Sequence, residues 1–380
     1  MLEDSTNSFS LENCRSCNST SLQLSTSRKK FPLYIWPLND DDHTSLEDIG
    51  VFICLDCGYI QLQNISKEQI SEIYRDEAFN LENPEQNNER LEFLTQEDAH
   101  RFEEKKVLEI GGGRNTFLNF MPDNTKKWVA DFSVDEDVKA EVAGSIEGDF
   151  LDIEIKEKDF DYIFMFHVLE HFNDPRSAIL KAKELLNDQG CIIVEVPNFS
   201  YESRHRPDYT FFHMHISLFT QVSLKSFMSR QGLNGSKFIK IKDVLLAEFS
   251  KEIDSNRDNH LEDGLTNLSI VQSNIDKCSS KLKSIFTKLQ NQNTAIFGGG
   301  GASTLFLYNY PFLFDHVGFA LDNDPRKIGR SLGNGSIPIV SPTEIDKLNI
   351  RNIIVLDKMH IHYIKNSKVN YIIISDFYES

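Results

Sequence analysis

From Lys105 onward, short apolar runs alternate with polar or helix-periodic stretches: VLEIG, WVAD, DYIFMF and CIIVEVPN. Runs of this kind read as buried strands, and their alternation with helical segments predicts a parallel sheet with crossover helices. A second series of the same style, TAIFGGGGAS, VGFALDND, NIIVLD and YIIISD, occupies the C-terminal part. Between the two, residues 250–292 carry Leu261, Leu265, Leu268, Ile275, Leu282, Ile285 and Leu289 among polar positions, which predicts a long amphipathic helix or helix pair. Residues 66–104 alternate charged and apolar positions at helical spacing, broken by LENPEQNNER, and read as helices leading into the first α/β unit. Nearer the N-terminus, YIW and VFICLDC read as β-type segments of a small unit, preceded by about ten polar, frayed residues. The expected partition is 1–66, 67–104, 105–248, 249–292 and 293–380, an α/β chain with a small domain in front and a second α/β domain behind.

Composition narrows the partners. With 380 residues the chain exceeds one core, since a domain takes roughly 100–200. A net charge of −18 opposes nucleic-acid and anionic-membrane surfaces, which need clustered Lys and Arg. No apolar run reaches the roughly 20 residues that span a bilayer, and no basic-apolar export signal opens the chain. A cytoplasmic monomer or homodimer with a small-molecule partner is expected, binding neither nucleic acid nor membrane. In a reducing compartment, six cysteines are read by spacing rather than as disulfides. Cys14 with Cys17 and Cys54 with Cys57 form two CxxC turns, the donor set of a tetrahedral structural Zn²⁺ site. A redox role is the weaker reading, because neither pair opens a helix after a strand; four unrelated buried cysteines are the plain alternative. Cys191 and Cys278 read as ordinary strand and helix residues.

The run VLEIGGGRNTFL ends in Gly111, Gly112 and Gly113, with Glu109 just before them. The following GGGRNTFLNF is expected to open a helix, which sets the glycines at the first strand-to-helix turn, where α/β sheets bind ligands. A full GxGxxG is missing, and a nicotinamide-binding domain is the rival for the glycines alone. Asp131, followed by Phe132, ends the next apolar run, where an acidic residue accepts hydrogen bonds from ribose hydroxyls. EGDF puts Asp149 and Phe150 at the end of the third strand, an acceptor and an apolar face for an adenine. Then come FDYIFMFHVLEHFNDP, KAKELLNDQG and CIIVEVPN. HVLEH also fits the HxxEH zinc-peptidase pattern with His167 and His171, but it sits directly at a strand end. In this order the segments from Lys105 to about Gly232 resemble class I S-adenosylmethionine-dependent methyltransferases. The resemblance implies S-adenosylmethionine as cofactor, held by Glu109, Gly111, Gly112, Gly113, Asp131, Phe132, Asp149, Phe150 and His167.

Across nearly the whole length, the order of cysteine unit, methyltransferase core and C-terminal GGGGAS and DNDPRKIGRSLGNGSIPIVSP resembles the tylosin-type C3 sugar C-methyltransferases. Asp322, Asn323, Pro325, Lys327, Gly329, Ile337, Pro338 and Ile339 match that family's C-terminal run. The resemblance implies a nucleotide-linked 4-keto deoxysugar as substrate, with the last domain a Rossmann-like substrate wall rather than a second cofactor site. The family's YHEHLSYFS stretch is FHMHISLFT here, Phe212 to Thr220. His215, His213 and His171 match family histidines and are the expected catalytic residues, with Phe212, Met214, Tyr209 and Asn323 at the substrate. Tyr201 and Glu202 are further candidate contacts in the same loop. Met214 replaces the family's Glu, Phe212 its Tyr, and Ala302 stands near a family Lys. An imidazole, with an ordinary pKa of about 6.5, suits removal of a proton beside a ketone, so His215 is the expected base. Methionine moves no proton, which leaves O- or N-methylation on the same scaffold as an alternative, and a non-catalytic S-adenosylmethionine-binding regulatory protein as a second.

Overall fold

The computed structural model describes residues 9–39, 42–73, 84–114, 116–241, 243–251, 259–289, 293–364 and 368–378. Most of the expected frayed N-terminus, the middle of the 67–104 segment (74–83) and both flanks of the long helix (252–258, 290–292) lie outside the described residues.

The chain opens with β1 (Leu22–Pro32), β2 (Leu46–Cys54) and β3 (Ile60–Leu62), an antiparallel meander. YIW is not a strand: Tyr34 and Ile35 sit in irregular backbone, both buried, so apolar character there reports packing rather than pairing. Helices α1 (Lys67–Ile73) and α2 (Pro84–Thr95) follow. Next come β4 (Lys106–Ile110), β5 (Lys126–Asp131), α3 (Glu136–Glu141), β6 (Gly144–Glu147), β7 (Phe160–Phe166), α4 (Pro175–Leu185), β8 (Leu186–Pro197) and α5 (Phe199–His205). A two-residue strand β9 (Ser217–Leu218) precedes α6 (Gln221–Arg230), β10 (Asn234–Ile241) and β11 (Val244–Ser250).

The central sheet runs β10-β11-β8-β7-β4-β5-β6. Its five strands from β8 to β6 are parallel, whereas β11 and β10 close the edge as an antiparallel hairpin. A nicotinamide-binding sheet would carry a sixth parallel strand in that place, so topology decides against this rival. The strand order reverses between β4 and β7, and the crevice at their C-terminal ends is the ligand position of such sheets.

A single helix α7 (Leu261–Lys288) buries Leu268, Val271, Ile275, Cys278, Leu282 and Phe286 along one stripe. Beyond it, β12 (Thr294–Phe297), α8 (Gly301–Asn309), β13 (Val317–Leu321), β14 (Ser331–Leu332), β15 (Ile337–Val340), β16 (Asn352–Val355) and β17 (Asn370–Ile373) form a second α/β layer, ordered β14-β15-β13-β12-β16-β17.

The first sheet is completed from far along the chain, since β9 pairs with β3 through Ile60 and Leu218. No helix among the described residues is long and apolar enough to cross a membrane.

Candidate active site

At the end of β4, Gly111 has φ +87° and its amide donates to Ala130 O at 2.9 Å. The amide of Gly113 donates to Asp131 Oδ2 at 2.8 Å, and that of Phe132 to Asp131 Oδ1 at 2.6 Å. A methyl group on Gly113 would stand 2.0 Å from Ser133 O, and one on Gly112 2.5 Å from the Glu109 carboxyl carbon. Protein atoms therefore already exclude side chains from two of the three glycines. Glu109 is buried and accepts from Thr116 Oγ1 at 2.5 Å and Phe117 N at 3.3 Å. Its carboxylate is thus spent on bracing the turn. These bonds also correct the expected helix: the chain makes only a 3₁₀ turn over Phe117–Phe120, capped by Thr116 and ended at Met121 before Pro122.

Around the crevice, burial raises the Asp131 carboxyl above its usual range even though three backbone amides favour its charge. Phe132 is 55% exposed. Phe150, expected to offer a face to an adenine, is instead buried against Phe172 at 6.1 Å and beneath the Lys181 ammonium. Apolar residues next to a strand end serve core or ligand equally well, and here the core takes this one. Asp149 Oδ1 accepts from Leu151 N at 2.9 Å.

After β7 the chain turns sharply through His167 at φ +51° into a 3₁₀ turn, Leu169–His171, not an α-helix. The two histidines therefore do not share one ion. His167 Nε2 is 2.9 Å from Glu195 Oε1 and its Nδ1 3.3 Å from Glu170 Oε1. Burial opposes its charge, but the two carboxylates overcome this and raise it to about 10, so the ring is an imidazolium held by protein rather than a free cofactor ligand. Arg90 from α2 reaches the same Glu195 through Nε at 3.0 Å and Nη2 at 2.5 Å, and Gln86 Nε2 donates to Glu195 Oε1 at 2.8 Å. Burial would raise Glu195, but His167 and Arg90 hold it down at about 2. This clamp of α2 on the ends of β7 and β8 escaped the sequence reading, because no spacing links residues so far apart.

His171 and His215 meet beside that clamp, their ring centroids 5.2 Å apart. His171 Nδ1 lies 2.8 Å from Met214 O, so this nitrogen donates. Glu170, wholly buried beside them, has Oε1 3.7 Å from His171 Nε2 and an Oε2 with no hydrogen-bond partner among the described residues. Burial alone would raise Glu170; His171 and His167 hold it below the ordinary carboxylate range. His215 Nδ1 is likewise buried and unpartnered, and burial together with His171 lowers the ring to about 3. Phe212 packs on His215 at 4.2 Å between ring centroids, and Tyr209 on Phe212 at 5.1 Å.

The structure does not bring His213 into this group. Burial lowers its ring to about 4, although the backbone of Phe31 and Glu47 in the first sheet favours its charge, and its Nε2 is buried with no hydrogen-bond partner among the described residues. Loop residues two apart face the same way only in a strand, and Phe212–His215 is a turn closed by His215 N to Phe212 O at 3.1 Å. Met214 supplies its carbonyl to His171, a contact that a backbone atom makes whatever the side chain. Asn323 is exposed at the end of β13, beside the Asp322–Lys327 pair at 3.0 Å.

The cysteine unit supports this loop. Cys14 Sγ is 3.6 Å from Cys57 Sγ and Cys17 Sγ 3.6 Å from Cys54 Sγ, with all four sulfurs within 4.8 Å of one another. Buried Arg15 joins the knuckle to the site: it donates to Leu62 O at 2.6 Å, Asn64 Oδ1 at 2.6 Å and Asn173 O at 3.0 Å. Asn173 follows His171 closely, and Ile216 N donates to Glu170 O at 2.9 Å.

Residues 79–236 match a family model described as a methyltransferase domain. Over these residues, less than half of its length, the chain carries a methyltransferase domain. The match spans the whole run from α2 to the start of β10, so the Arg90 clamp belongs to the methyltransferase core. No curated protein matches the methyltransferase. Solved structures similar to it include a Pyrococcus horikoshii OT3 protein, 14% identical over 49% of this chain and 99% of its own, at a TM-score of 0.38. An S-adenosylmethionine-dependent methyltransferase from Clostridium acetobutylicum is 9% identical over 46% of this chain and 93% of its own, at 0.35. An O-methyltransferase family protein from Burkholderia thailandensis is 14% identical over 45% of this chain and 57% of its own, at 0.37.

Proposed function

We propose that the methyltransferase methylates the carbon beside the ketone of a nucleotide-linked 4-keto deoxysugar, with His215 as general base. The observation that carries the proposal is the buried, unpartnered His215 Nδ1 within reach of the fully buried Glu170 carboxylate. The amide edge at Gly111, Gly112 and Gly113 would take the amino-acid end of S-adenosylmethionine, Asp131 its ribose hydroxyls, and the exposed Phe132 the side of its adenine. Bound there, the cofactor supplies a sulfonium methyl as electrophile. Burial keeps the His215 ring neutral, which leaves a nitrogen lone pair but weakens it as a base; the Glu170 carboxylate, which favours the charged ring, works against that weakening when the α proton of the sugar is taken up. The imidazolium that forms is stabilised by Glu170, as a carboxylate steadies the histidine of a catalytic triad. His171, with Nδ1–H held by Met214 O, would stabilise the enolate oxygen by donating from Nε2 as an imidazolium; His213 lies against the first sheet. Tyr209 and Asn323 are assigned to the substrate on the family resemblance.

Four sulfurs spaced as these are fit one Zn²⁺, since zinc–sulfur bonds of about 2.3 Å give a tetrahedron with edges of roughly 3.8 Å. Such a closed donor set offers structure, not catalysis. The apolar Met214 and Phe212 beside His215 favour transfer to oxygen or nitrogen as a second reading, because neither side chain relays a proton.

Turnover of labelled S-adenosylmethionine with a panel of dTDP- and GDP-linked 4-keto sugars tests the proposal. At least one sugar is expected to gain a carbon-bound methyl. His215→Ala is expected to lose about a hundredfold or more of that activity while cofactor affinity stays. Unchanged turnover by this variant would remove His215 as the base.

A further inference from the structure

Glu170, His171 and His215 place one ligand atom each within 4.8 Å of one another. Several features make this more than proximity. A carbonyl only accepts, so the 2.8 Å contact with Met214 O fixes a proton of His171 on Nδ1 and makes Nε2 the nitrogen that can act as a ligand in the neutral ring. That nitrogen lies 3.7 Å from Glu170 Oε1, which is also 3.3 Å from His167 Nδ1, so Oε2 is the carboxylate oxygen left over. Glu170 is 0% exposed, yet its Oε2 has no hydrogen-bond partner among the described residues, and His215 Nδ1 is equally unpartnered. Buried polar atoms are ordinarily satisfied, so two orphans in one small cluster mark an absent ligand. A backbone carbonyl on the far nitrogen of a histidine is also the outer contact that commonly orients a metal-ligating imidazole.

We propose that Glu170, His171 and His215 form a dissociable site for a divalent first-row transition cation, separate from the cysteine centre, and that occupancy withdraws His215 from proton transfer. Two imidazoles and one carboxylate are the donor set of zinc and iron sites that keep open positions. Magnesium and calcium are disfavoured, since they require mostly oxygen ligands. Bonds of about 2.0–2.2 Å draw such ligands to within roughly 3–4 Å of each other, a closure of at most about 1–2 Å from the present separations. With only three protein ligands the ion exchanges, unlike one enclosed by four thiolates. The effect on turnover rests on His215 as the base; the site itself does not.

The test uses the full-length chain with one zinc already at the cysteine centre, titrated with Co²⁺ and followed by visible absorption. One further equivalent is expected to bind with a nitrogen- and oxygen-type spectrum lacking the thiolate-to-cobalt charge-transfer band. Glu170→Gln, nearly isosteric, and His171→Ala are each expected to weaken that binding about tenfold or more, with S-adenosylmethionine calorimetry as the check on folding. A spectrum with thiolate bands only, or affinity unchanged in both variants, overturns the site. In the second arm, Co²⁺ is expected to inhibit methyl transfer reversibly, without weakening S-adenosylmethionine binding. Binding at the trio without inhibition overturns the withdrawal of His215, and with it the assignment of the base.

Discussion

Replacing Arg15 with methionine would test whether the cysteine knuckle holds the catalytic turn in place. The guanidinium is buried, which lowers it to about 10, and its side chain donates to Leu62 O at 2.6 Å, Asn64 Oδ1 at 2.6 Å, Asn173 O at 3.0 Å and Gln61 Oε1 at 3.3 Å. Hydrogen bonds from a charged donor contribute about 1.5–3 kcal/mol each, so the three shorter ones total roughly 5–9 kcal/mol. Relief of the cost of burying the charge offsets part of this, and a net loss of about 3–5 kcal/mol remains, since the buried carbonyl and amide oxygens are left without their donor. Methionine keeps most of the apolar stem, which limits any cavity. Hydrogen exchange read by mass spectrometry resolves where the loss falls. Peptides around Cys14–Ser19, Ile60–Ile65 and His171–Asp174 should exchange about a hundredfold to a thousandfold faster, since each tenfold step corresponds to about 1.4 kcal/mol. Turnover should fall by about tenfold or more through displacement of His171, with cofactor affinity kept. Exchange altered less than tenfold in these peptides, or altered equally in β12–β17, would refute the reasoning.

Further expectations follow from other contacts. Gly113→Ala drives a methyl against Ser133 O and Asp131, and should lower stability by about 1–3 kcal/mol and weaken S-adenosylmethionine binding, which thermal melts and calorimetry would show. Asp208 is buried with the Tyr378 hydroxyl donating to it, and burial raises its carboxyl to about 6. A raised carboxyl binds its proton more tightly in the fold, so its contribution is present below about pH 4 and is lost as pH rises through about 6, amounting to about 3 kcal/mol. Denaturation of wild type and Asp208→Asn between pH 4 and 7 should therefore diverge in favour of the variant as pH rises; parallel curves would contradict this. Cys54→Ser should reduce bound zinc and loosen residues 212–218, because β9 pairs with the sheet that the knuckle anchors; metal analysis with hydrogen exchange would measure both.

Much of the architecture was legible because buried parallel strands are apolar on both faces: the runs at Val107, Trp128, Tyr162 and Ile192 all fall in the central sheet. β1 was not legible, since LQLSTSRKKFP is largely polar and its pairing with β2 shifts register between Leu24 and Thr26 and again between Arg28 and Phe31. β9 has only two residues, too few for any period, and its strand character comes wholly from β3. Within the candidate site, residue types were legible and partners were not. Glu109 and the glycines stood out as a motif, but whether they face a ligand or one another depends on where Thr116 and Ser133 fall. His213 and His215 look equivalent in FHMHISLFT, and only the turn that begins at Phe212 sends one to the first sheet and the other to His171. Arg90 and Glu195 are 105 positions apart, and an ion pair over that distance leaves no local pattern.

Removal of the sugar's α proton can be watched apart from methyl transfer. With the demethylated cofactor in place of S-adenosylmethionine, the enzyme is incubated in deuterated water with a nucleotide-linked 4-keto deoxysugar, and exchange beside the ketone is followed by NMR. Wild type should incorporate deuterium at that carbon and His215→Ala should not. Absence of exchange in the wild type, or equal exchange in both proteins, would contradict carbon methylation driven by His215.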